Sequence, residues 1–569
     1  MPNTAHCSGR RPFRSSTAGT ALALLACAAL TAPPARADET FGVAAPSRSK
    51  TTKPTVAAPS ARLRVDVSGA PLIALRPLDN RELRLQDEIG DNQRKMLRIG
   101  VARDVDVEAA SGSWTSLPDG SSLWVAELVS PGAIGLRLHF ADLALPAGAE
   151  LALYGVVPTA SGPGEGAPEM IRGAGVALAS HWSGTIVGER ARIEYLSPAG
   201  APAALPFRID QLQHVYRDPV ADTFQSKAAG PCHNDVTCFP EWAGVAASVA
   251  RYSVVFPGGL GLCTGQLINN LSGDFTPYFL TANHCVQNGG EAATLEFFWF
   301  YQTASCGGPP PSLGSLPRSQ GASLVSTKTP SDYSLLIVDG ALPGGLFWSG
   351  WTSLTPALGT PVAAIHHPDG DFKRISFGIN DNPAFCPANH VTIAWTDGPT
   401  EPGSSGSGVF RENTQQLFGQ LHGGPSACGN ESYDCYGSFK TTYTGVKNFL
   451  KAGSDDNSEQ NDTCSKARLV KAGTLSSRIV KVNDTDWYKI SVPAGKTVDI
   501  TLLFANANGD IDISFFAACG EDAAFWSRGV SDSEQLSLTN VSGRPLTGYW
   551  QVYLDSDTRA LYNQIVSIH

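Results

Sequence analysis

An all-β protein of several domains is what this sequence predicts, and three observations carry the prediction. Segments in which apolar and polar residues alternate recur along the chain, as in Ser122-Leu123-Trp124-Val125-Ala126-Glu127-Leu128 and Gly135-Leu136-Arg137-Leu138-His139-Phe140, the pattern of strands with one buried face. Gly and Pro are abundant, with 58 and 39 residues, which suits short strands joined by turns better than helical bundles. A length of 569 residues with 42% hydrophobic content exceeds one domain and can fill more than one core. The formal net charge of −10 argues against nucleic acid as a partner, since phosphate binding needs clustered Lys and Arg.

The first element reads as a secretory signal over residues 1–37. Arg10, Arg11 and Arg14 form a basic start, Ala18 to Leu30 an apolar run, and Ala35-Arg36-Ala37 a small-x-small cleavage site ending at Ala37. That run is too short and too Ala-rich to span a bilayer, and no later segment is long enough. Asp38 to about Ser60 is rich in Ala, Pro, Ser, Thr and Lys and reads as a flexible lead-in. Leu63 to Phe207 is strand-like, with turn signals at Leu117-Pro118-Asp119-Gly120 and Leu145-Pro146-Ala147-Gly148. It carries no constellation of acid, base and nucleophile. The unit 38–227 ends at Phe224-Gln225-Ser226-Lys227, ahead of a small-residue linker.

The central unit, 228–452, holds the chemistry. Strands are expected at Val245–Val255, Gly261–Asn269, Phe275–Thr281, Thr294–Gln302, Tyr333–Val338, Pro361–His366, Val391–Trp395, Gly408–Phe410, Gln416–His422 and Tyr436–Thr441, a spacing that suits a double β-barrel. Within Glu401-Pro402-Gly403-Ser404-Ser405-Gly406-Ser407-Gly408, small residues surround a candidate nucleophile, Ser405. A serine hydroxyl needs a base to take its proton and donors to hold the oxyanion, here the amides of Gly403 and Ser405. Upstream, an apolar run delivers His284 beside Cys285, and Asp332 precedes another apolar run. The order His284, Asp332, Ser405, with gaps of roughly 48 and 73 residues, is that of chymotrypsin-type acyl-transfer triads and not of subtilisins or α/β-hydrolases.

These residues carry a resemblance. Thr281-Ala282-Asn283-His284-Cys285, Ile365-His366-His367-Pro368, Lys373-Arg374-Ile375-Ser376, Glu401 to Ser407 and Gly419-Gln420-Leu421-His422-Gly423-Gly424-Pro425-Ser426 resemble the secreted bacterial lysyl endopeptidases, a branch of the trypsin-like serine proteases. The resemblance implies a chymotrypsin-like double barrel, with His284 as general base, Asp332 as its orienting carboxylate and Ser405 as nucleophile. Gln420 to Gly424 looks like the pocket wall and the strand that pairs with substrate, which makes His422, Gly423 and Gly424 substrate-binding candidates. Asp434 stands where the family carries its lysine-binding aspartate. The chain departs from the family between Ser376 and Val391, where a tryptophan is replaced by a shorter loop with Phe385-Cys386; Trp395 is retained. His422 leaves glutamyl specificity open, and Arg could be accepted beside Lys. From another class, a non-catalytic adhesin that kept the barrel is the rival. No metal is implied, and adjacent His366 and His367 point to opposite faces of a strand.

Export gives the cysteines meaning. Eight of the 12 lie between Cys232 and Cys435 and two in the tail, which in an oxidising compartment reads as disulfides. The resemblance implies Cys232–Cys428, Cys238–Cys306 and Cys263–Cys285; elimination leaves Cys386 with Cys435 and Cys464 with Cys519. The placement of 38–227 ahead of the catalytic unit suggests a propeptide, an intramolecular inhibitor and folding aid, with a stable accessory binding domain as the rival reading. Cleavage after Lys227 would let a lysine-specific enzyme process itself. The expected partners are therefore protein substrates and the propeptide, with no membrane span and a monomeric state. In the unit 453–569 an acidic linker precedes the alternating segments Asp486–Lys496, Val498–Leu502, Gly509–Phe515 and Gly548–Leu554. They read as a small β-sandwich that resembles the bacterial pre-peptidase C-terminal domain. Calcium at Asp510 and Asp512 is possible but unsupported, since alternation on a solvent face explains both.

Overall fold

The computed structural model of the protein describes residues 38–569 apart from 45–56, 91–95, 160–161, 166–167, 174–177, 218–229, 272–274, 452–460, 482–484, 505–509, 522, 530–531 and 557–558. Ala37 and Lys227, the expected cleavage points, lie outside the described residues.

In the N-terminal domain the alternating segments form two sheets. Arg190–Ser197 pairs with Ser122–Val129 and Glu150–Thr159 in one, and Arg208–Val215 pairs with Leu97–Val107 and Gly135–Leu143 in the other. Their apolar faces meet in a core that includes Trp124, Leu128, Leu138, Phe140, Leu151, Ile193, Tyr195 and Leu212. The second sheet continues into the central domain. Leu97–Val107 pairs antiparallel with Gly259–Leu267, with Leu97 opposite Leu262 and Gly100 opposite Leu260. The backbones approach so closely that a Cβ on Gly259, whose φ is +127°, would lie 2.2 Å from the Gly100 carbonyl oxygen; only glycine fits. A buried polar network crosses the same boundary. The Arg137 guanidinium donates to the Thr294 carbonyl at 2.8 Å, the Thr185 hydroxyl to Glu296 at 2.6 Å, and Arg318 to Glu296 at 2.9 Å. Burial pushes the Glu296 pKa up, but Arg318, Arg137 and the Thr185 donors outweigh it and hold it below its ordinary value.

The central domain has two β-barrel halves. Val249–Phe256, Gly259–Leu267, Tyr278–Thr281, Glu296–Trp299, Arg318–Gln320, Ala322–Lys328 and Tyr333–Val338 make the first. Pro361–His366, Arg374–Asp381, His390–Asp397, Gly408–Arg411, Leu417–Gly423 and Tyr433–Ser438 make the second, closed because Arg374–Asp381 pairs with both Pro361–His366 and His390–Asp397. Two expected strands are partly helical. The stretch from Val245 starts inside the helix Ala243–Ser248, and the strand expected at Tyr436–Thr441 ends at Ser438, where the helix Phe439–Lys451 begins. Phe439, Tyr443, Val446 and Leu450 recur at helical spacing and are buried, with Tyr443 against Trp351 at a ring separation of 5.1 Å. The run Thr441-Thr442 and Thr444, β-branched, disguises that period. Asp38–Ala44, expected as part of a flexible lead-in, lies in contact with the central domain. The C-terminal domain packs a five-stranded sheet against a four-stranded one around Tyr488, Ile500, Ile513, Trp550 and Val552. Among the described residues no helix is long and apolar enough to cross a membrane.

Lys373 is fully buried, its ammonium donating to the Ala246 carbonyl at 2.5 Å and to Gln302 Oε1 at 3.2 Å. Burial pushes its pKa down to about 7. The unfolded chain, with an ordinary lysine near 10.4, then binds more protons across this window, so stability rises with pH from about 7 to about 10. Lys373→Met should flatten that slope, which thermal unfolding at pH 7, 8.5 and 10 would reveal as a smaller pH-dependent rise in Tm than in the parent.

Candidate active site

The strand Tyr278–Thr281 ends in a turn that presents His284, and the Cys263–Cys285 disulfide ties this turn to Gly259–Leu267. Asp332 immediately precedes the strand Tyr333–Val338, with φ at +50°, a left-handed conformation uncommon outside glycine. The carboxylate faces His284 twice: Oδ1 accepts the His284 backbone N–H at 2.9 Å and Oδ2 lies 2.7 Å from Nδ1. A second imidazole reaches the same oxygen, His422 Nδ1 at 2.6 Å. Burial pushes the Asp332 pKa up, but the charge and hydrogen bonds of His284 and His422 outweigh this and hold it well below the usual carboxylate range. The hydrogen bond to Asp332 in turn raises the His422 pKa, against its own partial burial.

Ser405 sits on the loop before Gly408–Arg411, pinned from the first barrel. Thr264 donates its backbone N–H to the Ser405 carbonyl and its hydroxyl to the Gly403 carbonyl, both at 2.9 Å. Gly403 and Gly406 take φ of +95° and +82°. A Cβ at Gly406 would meet Thr281 Oγ1 at 2.1 Å, so the tight turn requires glycine there. Ser405 Oγ and His284 Nε2 are buried, and neither has a hydrogen-bond partner among the described residues; they are not bonded to each other in this structure. Beneath the loop, His366 lies between Ser404 Oγ and Ser376 Oγ, each at 2.8 Å, whereas His367 is 2.8 Å from the Asp371 carbonyl and stacks on Tyr301. The two adjacent histidines thus serve different contacts.

Asp434 is fully buried on the strand Tyr433–Ser438, between His390–Asp397 and Leu417–Gly423. Its Oδ2 accepts from Trp395 Nε1 at 2.7 Å, from Thr400 Oγ1 at 2.6 Å and from the Ser426 hydroxyl. Above it, a Cβ on Gly424 would fall 2.4 Å from Asp434 Oδ1, so only glycine can pack this closely over the carboxylate. The structure joins Cys232 to Cys428, Cys238 to Cys306, Cys263 to Cys285, Cys386 to Cys435 and Cys464 to Cys519. Asp510 and Asp512 open the strand Asp510–Phe516, and neither belongs to a group of three potential metal ligands among the described residues.

Two family models match: the lysyl endopeptidase N-terminal domain over residues 74–216 and the lysyl endopeptidase C-terminal domain over residues 226–437. Together they account for more than half of the chain. The chain is a lysyl endopeptidase-like serine protease. It is similar to the lysyl endopeptidase of Pseudomonas aeruginosa, 28% identical over 383 residues that make up 62% of this chain and 81% of that protein. Solved structures it is similar to include a thermostable serine protease AL20 from an extremophilic microorganism (13% identity, 34% of this chain and 93% of that one, TM-score 0.25). Another is the active form of the Rv3671c protease from M. tuberculosis (16% identity, 40% and 95%, TM-score 0.27).

Within this protease, His422 makes a contact that sequence reasoning misses. Besides its expected place on the pocket wall it bonds Asp332, with its ring also 4.9 Å from that of His390. His390 thereby packs at the site from the loop where the family places a tryptophan. A register shift between Leu421 and Gly423 turns the strand locally, and no signal in the sequence marks it. The Cys386–Cys435 bond fastens that loop to the residue beside Asp434. A cross-link over 49 residues stabilises by about 4 kcal/mol in the chain-entropy estimate. Cys386→Ser combined with Cys435→Ser should therefore lower the unfolding free energy measured by chemical denaturation by up to that amount, and raise KM more than it lowers kcat.

Proposed function

We propose that the protein is an exported serine endopeptidase that cleaves on the carboxyl side of lysine, made with residues 38–227 as a propeptide. His284 Nε2 removes the Ser405 proton as Oγ attacks the scissile carbonyl. Asp332 holds the imidazole in the required tautomer and stabilises the imidazolium. The amides of Gly403 and Ser405 receive the oxyanion. The imidazolium then protonates the leaving amine, and water hydrolyses the acyl-enzyme by the same route. The extended substrate would pair with the strand that ends at Gly423.

The observation that carries the specificity is the Asp434 carboxylate, buried beneath Gly424 and fixed by three donors. A negative charge held in a desolvated slot attracts a lysine ammonium and rejects acidic side chains. Glutamyl specificity is disfavoured, because His422 Nδ1 is already engaged by Asp332. Five disulfides support export to an oxidising compartment, and the sheet shared with the N-terminal domain supports its role as a folding aid.

Digestion of a denatured protein mixture with matured enzyme should yield peptides ending almost only in Lys. Asp434→Ala should lower kcat/KM for lysyl substrates by at least 100-fold; peptide ends in Arg or Glu at similar frequency would overturn the pocket assignment. Asp332→Asn should cost about 10⁴ in kcat. Ser405→Ala should abolish labelling by an active-site-directed serine reagent, whereas labelling that persists would remove Ser405 from its role.

A further inference from the structure

The residues Asp38–Ala44 precede the N-terminal domain in sequence, yet they are seated on the protease domain, along the connector between its barrels. Val43 and Ala44 pair antiparallel with Trp348 and Phe347, and Glu39 bridges to Thr352. The Thr40 N–H donates to the Trp351 carbonyl at 2.9 Å, and the Ser353 N–H to the Asp38 carbonyl at 3.0 Å. Trp351 N donates back to Thr40 Oγ1 at 3.3 Å. Buried amide side chains on both barrels grip the same segment: Asn269 Nδ2 donates to the Phe41 carbonyl at 3.2 Å and Gln416 Nε2 to the Thr40 carbonyl at 3.0 Å. At its start, the Tyr443 hydroxyl donates to Asp38 Oδ2 at 2.9 Å.

Such a density of backbone pairing is that of a strand belonging to the domain it touches. Thr40 is 7% exposed, and Val43 packs on the first-barrel core. The path is also tight: a Cβ on Gly350 would lie 2.5 Å from the Thr40 carbonyl oxygen, and one on Gly42 would lie 2.2 Å from the Phe347 ring. Glycine at both positions is what lets the segment lie flush against the connector.

We propose that Asp38–Ala44 is a resident strand of the protease domain, a non-covalent clasp over the barrel connector that stays bound when the polypeptide following it is severed. The groove formed by Phe347–Ser353, Asn269, Gln416 and Tyr443 is thus a binding site for an extended peptide with an acidic start, and its occupant is this chain's own segment.

The test uses the full chain with Ser405→Ala, which silences self-digestion, and a site-specific protease recognition sequence inserted after Ser47. After complete cutting at that sequence, the protein is gel-filtered under native conditions and analysed by denaturing mass spectrometry. The fragment bearing Asp38–Ala44 should co-elute with the protease domain in about equimolar amount. With Thr40→Pro, which removes the N–H bonded to Trp351, retention should fall at least tenfold. Loss of the fragment from the parent chain would overturn the proposal, as would equal retention by the Thr40→Pro chain. Neither outcome depends on the peptidase reading.

Discussion

The two hydrogen bonds from Thr264 to the carbonyls of Gly403 and Ser405 make one strand the reference for the site. Gly259–Leu267 is buried at all nine positions. At Leu260–Leu262 it pairs with the N-terminal domain, at Cys263 it is cross-linked to the His284 turn, and at Thr264 it fixes the Ser405 loop. Histidine and serine come from different barrels, and their relative placement is set by attachment to neighbouring residues of this strand. Because a strand rises little more than 3 Å per residue, a slip of one position would displace the parts by more than catalysis tolerates.

The same geometry gives the N-terminal domain a physical role. Its strand Leu97–Val107 completes the edge of Gly259–Leu267, and Leu97, Ile99 and Val215 close over Leu260 and Leu262 in a shared apolar cluster. Removal of the domain would expose that patch together with unpaired backbone groups. It would also strand Glu296 and Arg318, whose partnership with Thr185 and Arg137 is made across the boundary. Separation is therefore costly in both apolar and polar terms, which supports the proposed role of this domain as a folding aid.

Much of this was legible in the sequence, for reasons that differ by element. His284 and Asp332 stand out because each adjoins an apolar run, Ser405 because small residues surround it, and chain order restricts the topologies that can join them. The alternation predicted strands in the N-terminal unit and a sandwich in the C-terminal one because period two survives wherever one sheet face is buried. The closing helix was hidden by threonines, and its assignment depends on Trp351 being there to receive Tyr443. The contact of His422 with Asp332 joins residues 90 positions apart through a local irregularity in strand pairing, which no local pattern encodes. The Asp38–Ala44 strand was hidden for a related reason: its composition is that of a linker, and its order comes from hydrogen bonds supplied by residues more than 200 positions away.

Asp434 shows how a buried carboxyl group can be accommodated without unfolding its surroundings. An unpartnered carboxylate at zero exposure would protonate or force the strand apart. Here Trp395, Thr400 and Ser426 each donate to Oδ2, so neutral side chains supply hydrogen bonds to the buried carboxyl group. In the proposed lysine pocket that choice matters: a resident Lys or Arg would satisfy the carboxylate equally well but would compete with an incoming ammonium. Under the proposed lysine specificity, these neutral donors fix the orientation of the carboxylate and Gly424 places no side chain over it, so an ammonium on a long, thin side chain is the group its chemistry favours.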